Sequence, residues 1–189
     1  MTEQIEILPL LTLNLDEIWP IVTGYESGEK YIIEKCESDA QTIFIIRLTR
    51  LEQPYRTTFA EDFNEEDCRR YADYLPQGYS FGAYQDGRLV AFAISEAIPW
   101  NRSLRIWEFQ VMEGFRRKGI GRALMNHVVA RAAEDHFRVI WLETQNTNVH
   151  AIRFYRSMGY AVDALDLSFY TNHDVEEGEV AFFMKRYLE

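Results

Sequence analysis

Leu15, Ile18, Trp19 and Val22 recur at helical spacing behind Asn14, which predicts a short capped helix that ends before Gly24. Tyr31-Ile32-Ile33 and the run Thr42 to Leu48 are rich in β-branched and aromatic residues and predict strands. A second helical stripe, Cys68, Tyr71 and Leu75, starts near Asn64 and stops at Pro76. Glu65, Glu66 and Asp67 fall in its first turn, where the helix dipole favours anions. Cys68 lies on the apolar stripe and reads as a core residue rather than a reactive thiol. Tyr79 to Tyr84 and Arg88 to Ser95 predict paired strands across Asp86-Gly87, a strong hairpin signal. Leu104 to Met112 predicts a third strand.

After Gly114 the period changes. Gly119 to His136 reads as a helix with Ile120, Leu124 and Val128 on one face. Val139 to Leu142 predicts a short strand, bounded by the polar run Thr144 to Asn148. Val149 to Met158 reads as a helix ended by Gly159. Tyr160 to Tyr170 and Val180 to Tyr187 predict two closing strands, with the acidic stretch Asn172 to Glu179 as a hairpin loop, or a lip that gathers cations. Hairpins followed by strand–helix–strand–helix–strand predict an α/β (α+β) fold, with a mixed central sheet of about seven strands flanked by helices.

The length, 189 residues, fits one domain. There are 20 Lys and Arg against 30 Asp and Glu, a net charge of −10. That balance disfavours a nucleic-acid partner, which needs a basic surface. A small cationic substrate suits it, because a negative field attracts cations. Two cysteines without a CxxC, and four scattered histidines, argue against a disulfide framework and a metal site. His127, His136 and His150 read as ordinary helix-surface residues. Neither a basic signal-peptide start nor a spanning apolar run is evident, so a cytoplasmic protein without membrane contact is expected. Oligomeric state stays open, a homodimer included.

The most informative junction is Phe109-Gln110-Val111-Met112-Glu113-Gly114-Phe115-Arg116-Arg117-Lys118-Gly119-Ile120-Gly121-Arg122. The chain leaves a strand, passes three cations and enters a helix through two glycines. A helix start exposes unpaired N–H groups and partial positive charge, so it binds phosphate well. Cations there oppose the dipole unless an anion is bound, so three together point to a polyanion. A solvated basic turn is the alternative. Neither the P-loop nor the Gly-x-Gly-x-x-Gly dinucleotide spacing is present.

The junction resembles the Arg/Gln-x-x-Gly-x-Gly/Ala signature of the GNAT superfamily of acetyltransferases, with Arg116, Gly119 and Gly121 at its fixed positions. The resemblance implies acetyl-CoA as co-substrate, its pyrophosphate held by Arg116, Arg117, Lys118, Gly119, Ile120, Gly121 and Arg122, with no metal. It further implies that Asn148 contacts the cofactor and that Tyr155 lies near the thioester sulfur as general acid. On its residues alone, Tyr155 beside Ile152 and Phe154 could equally be a packed aromatic. A core of about 80–189 would bind acetyl-CoA, with the N-terminal part shaping the acceptor site.

Leu142 to Val149 and Leu165 to Tyr170 resemble the streptothricin and nourseothricin acetyltransferases, a likeness running from Ser103 to Asn172. It implies acetylation, and so inactivation, of the β-lysine amine of streptothricin-type antibiotics. Two departures stand out: Arg117 occupies a position where many relatives have glycine, and Ala164-Leu165 replaces a small, often Gly-containing step.

Alternation places Glu108 on the face of Leu104, Ile106, Gln110 and Met112, where desolvation would raise its pKa toward a useful base. An ordinary exposed or ion-paired carboxylate is the alternative. An alkyl amine of pKa about 10.4 needs such a base to become nucleophilic at neutral pH. Trp107, Glu143, Asp166 and Tyr170 are the candidates for holding a cationic acceptor, Asp166 and Tyr170 sharing a strand. Glu143 could instead be a plain strand-end carboxylate and Asp166 a turn former. No Ser/Cys–His pair suggests an acyl-enzyme, so direct attack is expected, with an N–H near Val111 polarising the carbonyl. A peptide or protein amine acetyltransferase and a non-catalytic acyl-CoA sensor are the rival readings.

Overall fold

Both residues of the Asp86-Gly87 turn have positive φ, 51° and 77°, the geometry that matches the twist of paired strands. They join β4 (Phe81–Gln85) to β5 (Arg88–Ile98). The computed structural model describes residues 5–59 and 63–188. Among them, β1 (Ile5–Pro9), β6 (Ser103–Val111), β7 (Val139–Gln145), β8 (Ala161–Asp166) and β9 (Ala181–Tyr187) complete a sheet of order β1-β4-β5-β6-β7-β9-β8. The sheet is mixed: β4–β5 and β5–β6 are antiparallel and β6–β7 is parallel. Flanking helices make this the expected α/β architecture. Two further strands, β2 (Tyr25–Ser38) and β3 (Gln41–Thr57), form a separate antiparallel ribbon.

The chain divides into two compact units, residues 1–24, 58–142 and 185–189, and residues 25–57 and 143–184. In the first, α1 (Leu15–Ile18) is capped by Asn14, whose side chain accepts from the Asp16 N–H at 3.0 Å. It is only four residues long; Pro20 has no N–H to continue the ladder. Helix α2 (Glu65–Ala72) begins with a capping box in which Asn64 and Asp67 satisfy each other's backbone N–H groups. Tyr71 and Leu75 join Leu10, Ile18, Ile21, Phe63, Leu89, Phe92 and Ile94 in one buried cluster, with Cys68 and Trp107 packed against it. The long helix α3 (Ile120–Glu134) buries Ile120, Leu124, Met125, Val128 and Ala132.

Alternation fails in β6. Ile94 faces Glu108 but Ser95 faces Ile106, so Trp107 is an extra residue in a bulge. Trp107 and Glu108, neighbours that a regular strand would send to opposite faces, both reach Tyr71. Glu108 therefore does not continue the Leu104–Ile106 face.

In the second unit the ribbon is far longer than its apolar runs. Polar residues extend it through cross-strand pairs such as Arg56 with Glu26 at 2.7 Å. The stretch after Leu142, expected to bound β7, instead continues the strand to Gln145 and buries Thr144, Asn146 and Thr147. Helix α4 (Val149–Ser157) is capped by Asn148 and ends before Gly159, whose φ is 87°. β8 stops at Asp166, which caps the Ser168 N–H at 3.0 Å, so Tyr170 lies beyond the strand and not on it. The acidic segment forms a short helix, α5 (Asp174–Glu177), closed by Gly178 at φ 83°.

Asn146 holds this unit together. Its Nδ2 donates to the Tyr31 carbonyl at 2.7 Å and its Oδ1 accepts from the Val180 N–H at 2.7 Å. Its own backbone bonds the same two residues. Asn146→Ala strands a buried carbonyl and a buried N–H, each costing about 1–3 kcal/mol. We expect Tm to fall by roughly 5–15 °C, since 1 kcal/mol shifts a chain of this size by about 2–4 °C. A scanning calorimetry shift under 2 °C, of the order of the smallest single-site effects, would contradict this role.

Candidate active site

The expected phosphate-binding junction lies in the first unit. Arg117 and Gly119 both have positive φ, 61° and 85°. The residue that replaces a common glycine thus sits in a glycine-like conformation. Around Gly119 a β-carbon would meet nothing within 4 Å, so the backbone conformation, not crowding, calls for glycine there. Gly119 is the N-cap of α3 and offers no side-chain cap; the first turn carries no acidic residue. The start of this 15-residue helix thus has no side-chain cap, and its backbone N–H groups and positive dipole end suit an anion. Arg117, Lys118 and Arg122 are exposed beside them.

The Arg116 guanidinium is engaged by the protein itself. Its Nε donates to the Val111 carbonyl at 2.9 Å, and its Nη2 to Thr23 Oγ1 at 2.9 Å and the Gly24 carbonyl at 3.2 Å. Five fixed donors let one guanidinium tie the end of β6 to the segment after α1. These bonds shape the loop.

Glu108 is ringed by donors. Tyr71 donates to Oε1 at 2.9 Å and Gln110 Nε2 to Oε2 at 3.2 Å. Burial nevertheless wins over these bonds and pushes the carboxyl above the usual carboxylate range. Trp107 is packed among Tyr71, Tyr74 and Arg105, and its indole N–H donates to Glu96 at 2.9 Å. The parallel β6–β7 register runs from Ser103↔Val139 to Ile106↔Leu142 and stops beside the bulge.

In the second unit Tyr155 is buried on α4 between Phe154 and Tyr160 rings. The Asn148 side chain accepts from the Ala151 N–H at 3.2 Å as the helix cap. Tyr170 donates a very short hydrogen bond to Glu143, within β7, and burial together with that carboxylate raises the phenol pKa. Asp166 is engaged as a turn former. In the sequence Tyr71 reads as a core aromatic and Asn146 as one amide in a polar run, and neither stands out. A polar residue in an otherwise apolar stripe, and a polar run directly after a buried strand, were the available signals.

Residues 45–160 match the model of the acetyltransferase (GNAT) family, and the chain belongs to that family. Streptothricin acetyltransferase of Streptomyces lavendulae is 42% identical over 99 residues, 52% of either chain. This chain spans about half the length of the curated relatives that it matches first. A nourseothricin acetyltransferase structure, 25% identical, superposes with a TM-score of 0.68 over 98% of this chain and 99% of that one. A Bacillus anthracis protein solved with acetyl coenzyme A, 21% identical, gives 0.71 over 97% and 99%, a likeness of fold. Among the described residues no helix is long and apolar enough to cross a membrane.

A raised carboxylate pKa makes a directional stability prediction. Its stabilising share is fully present below the unfolded value of about 4.3 and is lost as pH rises through the folded one. Glu108→Gln lacks this loss. The Tm of the variant minus that of wild type should therefore grow from pH 4 to pH 8. A pH-independent difference would show that Glu108 is not desolvated.

Proposed function

We propose that the protein is an acetyl-CoA-dependent N-acetyltransferase acting on an amine of a small cationic acceptor, the β-lysine amine of streptothricin-type antibiotics. The uncapped α3 start at Gly119, inside the family-matched segment, carries the cofactor part. The 42% identity to a streptothricin acetyltransferase supports the acceptor, together with the net charge of −10.

Backbone N–H groups from Gly119 onward, with Arg117, Lys118 and Arg122, take the pyrophosphate, and Asn148 contacts the cofactor from α4. Holding both reactants at attack distance removes much of the entropic barrier. Glu108 accepts the ammonium proton, directly or through water; its raised pKa suits that task. The free amine attacks the thioester carbonyl, whose developing charge is met by a backbone N–H near Val111. Tyr155 protonates the leaving thiolate. Glu143, Tyr170, Asp166 and Trp107 serve the cationic acceptor.

Saturating acetyl-CoA should raise Tm, since a ligand at 100 times its Kd stabilises by about 2.7 kcal/mol. Gly121→Asp should abolish the rise by placing an anion at the helix start. Tyr155→Phe should keep it and lower kcat by about 10²–10⁴. Thiol release is then read with streptothricin and with a peptide panel. No Tm shift in wild type would overturn the cofactor; turnover of peptides but not streptothricin would replace the acceptor.

A further inference from the structure

Four side chains of the first unit form a line. Asp67 Oδ1 accepts from Arg70 Nη2 at 2.7 Å, and the same nitrogen donates to the Tyr71 hydroxyl at 3.1 Å. Tyr71 donates to Glu108 at 2.9 Å. A guanidinium has no acceptor, so the hydroxyl it meets must send its own proton onward. Among the described residues, Glu108 receives it along this line. The ring that carries the hydroxyl is held by Phe63 and Trp107, both at 6.0 Å, and is 4% exposed. Asp67 is doubly engaged, its other oxygen accepting from the Asn64 N–H at 3.0 Å.

We propose that Tyr71, directed by Arg70 and Asp67, is a positioning residue that holds the Glu108 carboxylate in its ionised, proton-accepting form. This rests on Glu108 as the base. The hydroxyl supplies a charge-assisted hydrogen bond to the carboxylate and none to a protonated Oε1, since Arg70 fills its accepting side. The groups facing Glu108 are Tyr71, Arg70 and Asp67 from α2 and Gln110 from its own strand. Tyr71 and Arg70 favour the ionised carboxylate and Asp67 opposes it.

The test is the pH profile of kcat/KM for streptothricin in Tyr71→Phe, Arg70→Met and Glu108→Gln, with Tm recorded for each. In Tyr71→Phe the base limb should move to higher pH. Activity on its acidic side should fall about tenfold, the loss expected from one charged hydrogen bond, and the deficit should close at alkaline pH. Arg70, with its side chain 52% exposed, can be changed without opening the core; Arg70→Met should move the limb the same way, by less. Glu108→Gln should erase the limb, and adding Tyr71→Phe to it should change nothing more. A limb that persists in Glu108→Gln refutes Glu108 as the base. A limb lost there but unmoved in folded Tyr71→Phe and Arg70→Met refutes the positioning role alone.

Discussion

The extra residue in β6 is the constraint on which the first unit depends. A strand that pairs regularly with β5 over its whole length would send Ile106 and Glu108 to one face. The bulge at Trp107 inverts that order. Leu104 and Ile106 stay buried before it, while Trp107 joins the cluster around α2 after it. Glu108 is thereby carried to the hydroxyl of Tyr71, 37 positions earlier in the chain. The β6–β7 register ends at Ile106↔Leu142, next to the same irregularity. One inserted residue so redirects a carboxylate and coincides with the end of strand pairing.

Local rules recovered most elements because the signals were local. The Asp86-Gly87 hairpin, the Asn14 and Asn64 caps, the α3 start at Gly119 and the stop at Gly159 each rest on residues within a few positions. What escaped was set by distant partners. The ribbon of β2 and β3 runs through charged residues that find partners across the strands, as Arg47 does with Glu34 and Arg56 with Glu26, which no single strand reveals. The bulge is invisible for the same reason: it exists only relative to β5. Tyr170 was misplaced because Asp166, at the end of its strand, bends the chain with its own side chain.

The candidate site divides in the same way. The glycine-marked helix start was legible, since conformation and dipole act over one turn. The task of Arg116 was not, because its acceptors include Thr23 and Gly24, far back in the chain. A guanidinium beside a glycine-marked helix start reads as charge in the sequence, and this one also supplies geometry. Asn146 is the reverse case: a residue in a polar run, buried because Tyr31 in β2 and Val180 just before β9 need its two ends.

A desolvated carboxylate is costly unless donors meet it, and donors that meet it too well remove its basicity. Glu108 lies between these limits: two hydrogen bonds hold its oxygens, yet burial still dominates and its affinity for a proton stays raised. That balance needs a donor whose position cannot drift. The phenol of Tyr71 meets the need because its ring belongs to the apolar cluster, and α2 is fixed at its start by the Asn64–Asp67 box. Packing and capping, ordinarily matters of stability alone, thus set how readily one carboxylate takes a proton. The core around α2 is for that reason part of what sets the protonation of Glu108.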